Sequence, residues 1–300
     1  LNNVEELRRY IEVQAARYRR RGAAAGPDVL VVTYKGAEEL LKAGPLPANV
    51  AVEHFNNLRG INAYQDVRAV IVVGRPLPDA AEIHRQAERM AGRPLDQADP
   101  LVEAVRWSIC EAELLQVIAR GRAIRRTEAN PLDVLLLGDV PLPLKIDTVA
   151  SWEQAKPAPL ELMAARGVVP ACDPNRPGYW PLVAAMLPDV FKDVQAAKDY
   201  AKGSQWNLSI GTISIDGFHR EPAKAKPYGA RYAVPVLVDP GRRLDLATIL
   251  DLSFDPLDPP LPRSPARAPV PAPAPANLPA TVPAKPTGQF LKSIEGGGFA

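Results

Sequence analysis

Residues 49–78, "NVAVEHFNNLRGINAYQDVRAVIVVGRPLP", run from one apolar stretch through a polar loop into a second apolar stretch. The flanks "NVAVEHF" and "VRAVIVVG" are short, rich in β-branched residues and bounded by turn formers, so each reads as a buried strand. The loop between them, centred on Arg59-Gly60, is too polar to fill a core. In a doubly wound parallel sheet, polar groups gather at strand ends, where ligands bind. Two expectations follow: a buried α/β sheet, and a ligand at its edge.

The neighbouring sequence extends the pattern. "DVLVVTY" (28–34) and the run within "PLDVLLLGDV" (132–137) have the same β-branched and apolar character. Helical stretches separate these strands: residues 3–20, "KGAEELLKAG" ending at Gly44-Pro45, and "PDAAEIHRQAERMAG" with Ile83, Ala87 and Met90 at helical spacing. "DPLVEAVRWSICEAELLQVIARGRAIRR" carries one or two more after Asp99-Pro100. Strands alternating with helices predict an α/β domain over residues 1–150. Residues 28–34, 49–55, 69–73 and 132–137 should be neighbouring, mostly parallel strands with helices on both faces.

Beyond a boundary near Asp147–Trp152 the alternation stops. Residues 151–255 read as a small α+β accessory domain. "LPDVFKDVQAAKDYAKG" is amphipathic through Val190, Val194, Ala197 and Tyr200, and "WNLSIGTISIDGF" and "RYAVPVLVD" read as two strands. Helix followed by hairpin suggests a winged-helix-like module, and Pro235 demotes its last strand to an edge. The basic stretch "HREPAKAKPYGAR" between them reads as a solvated hairpin tip or a wing touching phosphates. Residues 256–300 are dominated by Pro and Ala, too poor in apolar side chains to offset chain entropy, and predict a disordered tail.

Composition narrows the function classes. Three hundred residues exceed one ordinary domain, in line with that division. A formal net charge of +2 gives no bulk preference for nucleic acid or membrane, so any basic face must be local. The 2 cysteines, Cys110 and Cys172, lie far apart, and the 3 histidines are scattered, so no metal site is expected. Such cysteine usage fits a reducing compartment, and a cytoplasmic setting is expected. No apolar run reaches membrane-spanning length, so no membrane partner is expected. The chain opens at Leu1 within a helix-forming stretch, with no initiator methionine, and reads as a piece of something longer.

The opening stretch resembles the strand–loop–strand called motif V in superfamily 1 and 2 helicases. That family's second RecA-like domain shows Arg-Gly-x-Asp in the polar loop, and here Arg59, Gly60, Ile61 and Asn62 fill it, with Asn in place of Asp. The exchange keeps a hydrogen-bonding carbonyl and removes the charge. "DVLVVTY" resembles the motif IV strand. "LLQVIARGRAIRRT" resembles motif VI, Gln-x-x-Gly-Arg-x-x-Arg: Gln116 and Arg120 match, Ala119 replaces Gly, and Ala123 occupies the second arginine position, flanked by Arg122 and by Arg125-Arg126. The likeness covers roughly residues 1–147, with an enlarged helical insert between motifs V and VI.

The resemblance implies a RecA-like fold and a division of labour. ATP and Mg2+ would be held mainly by an N-terminal RecA-like domain of the same protein, where a Walker A loop cradles the phosphates. This domain would close over the nucleotide and offer a guanidinium to the γ-phosphate. Arginine suits that role because its fork is planar and always charged. Arg120 and Arg122 would be the catalytic fingers, and Gly60, Asn62 and Gln116 would face the nucleotide. Arg59, Arg125 and Arg126 would contact nucleic acid, with DNA favoured over RNA. The sequence contains no G-x-x-x-x-G-K-[ST] and no acidic pair following a strand, so this chain alone should not hydrolyse ATP. The alternative is a non-catalytic RecA-like module that docks on nucleic acid or protein. A free-standing α/β enzyme using Arg59 and Arg120 on an anionic substrate is a further rival. His54, at a strand end, reads as a hydrogen-bonded structural histidine, and Asp66 and Asp139 as loop caps.

Overall fold

The structure is a computed structural model and describes residues 2–20, 26–58, 62–203 and 221–253. Arg59 and Gly60, the expected strand within 206–218 and the Pro/Ala-rich tail lie outside the described residues.

β1 (Val29–Thr33) is buried along its whole length, as a run of β-branched residues must be when both faces of a sheet are covered. It pairs in parallel with β2 (Val50–His54) on one side and β3 (Ala69–Val73) on the other, and β3 pairs in parallel with β4 (Asp133–Leu137). The sheet order is β2-β1-β3-β4. Val31 lies opposite both Val52 and Ile71, and Ile71 opposite Leu135. These are the four strands and the parallel pairing expected from the sequence.

Alternation along the strands divides the core into two layers. On one face Val29, Val31, Ala69 and Ile71 pack with Tyr10 and Ile11 of α1 (Asn2–Arg17) and Leu41 of α2 (Lys35–Lys42). The β3–β4 connection supplies α3 (Ala80–Ala91), α4 (Pro100–Ile109) and α5 (Glu111–Ala119). The α5 residues Leu114, Val117 and Ile118 cover Leu30, Val32, Val70 and Val72 on the other face. α3 and α4 close a satellite core of their own around Ile83, Ala87 and Val105. Asp99 starts α4 by accepting from the Leu101 amide (2.9 Å) ahead of Pro100. In the described part of the β2–β3 connection, Phe55, Leu58 and Val67 bury themselves in the α5-side core.

After β4 come α6 (Trp152–Ala155), α7 (Pro159–Ala165), β5 (Val168–Pro170), α8 (Tyr179–Met186), α9 (Val194–Gly203), β6 (Glu221–Pro227), β7 (Val234–Val238), α10 (Arg243–Leu246) and β8 (Leu250–Ser253). The last four strands named form an antiparallel sheet of order β5-β7-β6-β8. This differs from the expected reading in three respects. β7 is an interior strand, not an edge. Pro235 is tolerated because its carbonyl, and with it the missing N–H, faces β5, whose paired residues have ended and where only the Ala171 amide reaches it (2.8 Å). The basic stretch expected as a hairpin tip contains β6, paired on both sides. The helix expected from residue 187 begins at Val194, where the Asp193 carboxylate accepts from the Ala196 amide (2.7 Å).

α1 serves both sheets. Its Tyr10 and Ile11 belong to the first core, while Val13 and Ala16 belong to the second, with Met163, Tyr179 and Leu182. All described residues fall in one compact unit. Among them no helix is long and apolar enough to cross a membrane.

The carboxyl ends of β1 and β3, where connections leave in opposite directions, would ordinarily form the ligand crevice of such a sheet. Here the Tyr34 ring, half exposed, lies across those strand ends. Its hydroxyl donates to the Arg75 carbonyl (2.6 Å) and accepts from the Arg75 amide (3.0 Å). Gly74 makes room: its φ is 77°, and a Cβ there would lie 2.5 Å from Tyr34 Cε2. Gly74→Ala is therefore expected to lower unfolding stability by ~1–3 kcal/mol, from the left-handed backbone and the displaced ring together. Chemical denaturation measures this. In a Tyr34→Ala background the steric share should vanish and the backbone share remain. A Gly74→Ala midpoint equal to wild type would refute this packing.

Candidate functional site

α5 returns from the carboxyl edge of the sheet to its amino edge, because β4 must start there to run parallel to β3. Two polar segments meet at that amino edge: residues 62–67, leading into β3, and residues 120–126, following α5. Asp133 at the start of β4 donates its amide to the Arg68 carbonyl (3.0 Å), which ties the two strand entrances together.

The second segment is a clamped loop. α5 ends at Ala119, and Gly121 then packs so closely that an added Cβ would sit 2.6 Å from Leu132 Cδ2. Arg122 adopts the left-handed conformation (φ 52°, ψ 47°), which costs a non-glycine residue about 1 kcal/mol or more. A single 3-10 turn, Ala123–Arg125, follows. Arg126 closes the loop. Its Nε donates to the Gly121 carbonyl (3.0 Å), and its terminal nitrogen reaches the carbonyls of Gln65 (2.8 Å) and Val67 (2.6 Å) on the other segment. Burial holds the Arg126 guanidinium below its ordinary value, the Asp66 charge opposing that shift and Arg20 adding to it.

The expected site residues separate by environment. Arg122 and Asn62 are brought together: the Arg122 guanidinium donates to the Asn62 side-chain carbonyl (2.9 Å). This is the hydrogen-bonding carbonyl that Asn keeps where the family pattern has Asp. Arg120 is half-buried, its Nε is buried without a hydrogen-bond partner, and it forms no ion pair among the described residues. Gln116 and Arg125 are exposed, on α5 and on the turn. Arg126, expected to contact nucleic acid, has its guanidinium engaged with three backbone carbonyls that fix the loop.

Three further residues shape this edge. Arg20 pairs with the buried Asp28 (2.9 Å) and also donates to the Asp66 carbonyl. Asp28 in turn accepts the Arg68 amide on its own carbonyl (2.7 Å) and the Asn49 side chain on its carboxylate (3.0 Å). Asp28 directly follows Gly26-Pro27 ahead of a strand, a position that reads as a turn residue. Only the fold brings Arg20 to it.

At the opposite edge His54 Nδ1 lies 2.5 Å from Glu38 Oε2, while Lys42 donates to the other Glu38 oxygen (2.5 Å). Burial would raise the Glu38 pKa, but the hydrogen bonds from Lys42 and His54 more than offset it and hold the carboxyl below its ordinary value. His54 is thus the hydrogen-bonded histidine expected at that strand end.

Among the described residues no group of three His, Cys, Asp or Glu side chains is gathered for a metal ion. Comparison with protein-family models, curated proteins and solved structures returns no match.

Proposed function

We propose that this chain is the second RecA-like portion of a superfamily 1/2 helicase or translocase, which completes an ATP site held mainly on another domain. The observation that carries this reading is the Arg122–Asn62 hydrogen bond. It joins the two segments that resemble motifs VI and V at one sheet edge, beside an arginine that has no carboxylate partner among the described residues. A guanidinium without an internal anion is suited to an external one, and a γ-phosphate supplies it. The donor set fits a phosphate. Mg2+, like ATP, is assigned mainly to the N-terminal domain, as the motif resemblance implies.

On this reading Arg120 and Arg122 face the nucleotide, and Asn62 orients Arg122 from the strand-contacting loop. Gln116 lies exposed on α5 and faces the cleft. Arg126 is a positioning residue that ties the arginine loop to residues 65–67. Exposed Arg125 contacts the nucleic-acid backbone, with DNA favoured. The Tyr34 ring across those strand ends speaks against a free-standing enzyme built on the usual carboxyl-end crevice.

The test is a double-mutant cycle in the protein that carries both RecA-like domains. Asn62→Ala and Arg122→Ala should each slow nucleic-acid-stimulated hydrolysis, and the double variant should be no slower than Arg122→Ala, because the two side chains act as one unit. Fully additive losses would show that Asn62 does not act through Arg122.

A further inference from the structure

A second cleft, of about 440 Å3 and lined by none of the arginine-loop residues, opens between α1, the α2–β2 connection and the second sheet's helices and turns. One wall is apolar: Pro45, Leu46 and Pro47. The rest carries four arginines, Arg8, Arg9, Arg166 and Arg242, against three carboxylates, Glu5, Glu12 and Asp189.

The pairing within the cleft is uneven. Arg166 takes Glu12 through both oxygens (3.0 Å each) and Asp189 through both (2.7 and 3.2 Å). Arg8 takes Glu5. All three carboxylates are then engaged by two arginines. Arg9 is left with two long contacts to backbone carbonyls, Glu5 at 3.3 Å and Asp189 at 3.4 Å. Arg242 forms no ion pair among the described residues, and its Nε is buried without a partner. Arg8 Nε is likewise buried and unpartnered, in a guanidinium laid flat on Gly44, where a Cβ would come within 2.5 Å. Burial, and next the Arg242 charge, hold the nearby Arg19 guanidinium below its ordinary value, with Asp239, Asp28 and Asp245 opposing that shift.

Leaving buried donors unsatisfied is costly. We propose that this cleft binds a phosphate-class oxyanion, held by Arg9 and Arg242, with any organic body lying on the Pro45–Pro47 wall. Guanidinium forks match tetrahedral oxyanions. Among the described residues no aromatic side chain lines the cleft to stack a nucleobase. The ligand would bridge α1 of the first sheet to the Pro240–Arg242 turn of the second. This site stands apart from the nucleotide reading and does not depend on it.

Isothermal titration calorimetry of the full chain at constant ionic strength tests it, with orthophosphate, pyrophosphate and ribose 5-phosphate as probes. Saturable binding of at least one probe is expected. Tighter binding of ribose 5-phosphate would assign a phosphate ester, and tighter binding of pyrophosphate an inorganic anion. Arg9→Met and Arg242→Gln should each weaken binding at least ~10-fold, the usual consequence of losing one charged hydrogen bond. Arg9→Met strands no carboxylate, so it tests the site even if Arg242→Gln disturbs the turn. Arg120→Ala/Arg122→Ala should bind as wild type. Absence of saturable heat with all three probes would overturn the proposal. So would heat that persists in both cleft variants, or heat that disappears with Arg120 and Arg122.

Discussion

On the helicase reading proposed above, Arg120→Ala in a protein carrying two RecA-like domains is expected to leave ATP binding largely intact and to cut nucleic-acid-stimulated hydrolysis by at least ~10²-fold. Among the described residues no carboxylate holds Arg120, and its buried Nε has no hydrogen-bond partner. Its removal should therefore act on the transition state, where charge spreads over the transferred phosphoryl oxygens. A full finger effect is ~10³–10⁵ in rate, and the lower bound allows for Arg122 standing in. Arg120→Lys should rescue little, because a point ammonium cannot reproduce the fork. Arg122→Gly offers a separate control. It relieves the left-handed backbone at φ 52°, so it should fold at least as well as wild type while losing activity. Unchanged turnover in an Arg120→Ala, Arg122→Ala double variant would remove the mechanism.

Legibility in the sequence followed the physics that operates at short range. The parallel sheet was readable because burial on both faces demands β-branched runs such as "VLVVT" and "AVIVV", and helices must fill the intervals. The Arg122–Asn62 hydrogen bond was not legible in the sequence, since no local rule brings residues 60 positions apart together. The same distance hid Arg126's bonds to the carbonyls of Gln65 and Val67, so it read as one more free cation in an arginine run. In the second sheet the signal was weak. β6 is "EPAKAKP", whose buried face consists of Ala223, Ala225 and Pro227, residues with little strand preference. Its strand state comes from pairing with β7 and β8, not from its composition. Pro235 misled for a related reason. The edge rule assumes that both sides of a strand need donors, and here the side lacking one faces the end of a three-residue strand.

The second large effect is expected at Arg166, and it concerns the join between the two sheets. Arg166 ends α7, is only 20% exposed, and binds Glu12 of α1, Asp189 and the Met186 carbonyl (2.8 Å) at once. Arg166→Ala strands two carboxylates facing one another's partner site. Breaking a buried ion pair from one side costs ~3–5 kcal/mol, and Asp189, 39% exposed, keeps enough water to reduce that here to ~2–4 kcal/mol. Burial alone would raise the Asp189 pKa, but the Arg166 hydrogen bonds outweigh it and hold the carboxyl below its ordinary value. A depressed carboxylate stabilises the fold above its unfolded pKa and loses that contribution as pH falls through its folded pKa. Wild type should therefore lose stability in acid, below the ordinary aspartate range, more steeply than Arg166→Met does. Replacing the triad together, Glu12→Leu, Arg166→Met and Asp189→Leu, should recover most of the loss, because no charge is then left buried. Urea unfolding at neutral and acidic pH distinguishes these outcomes. An Arg166→Ala stability within ~0.5 kcal/mol of wild type would show that α1 is held to the second sheet by its apolar face, Val13 and Ala16, without help from this network.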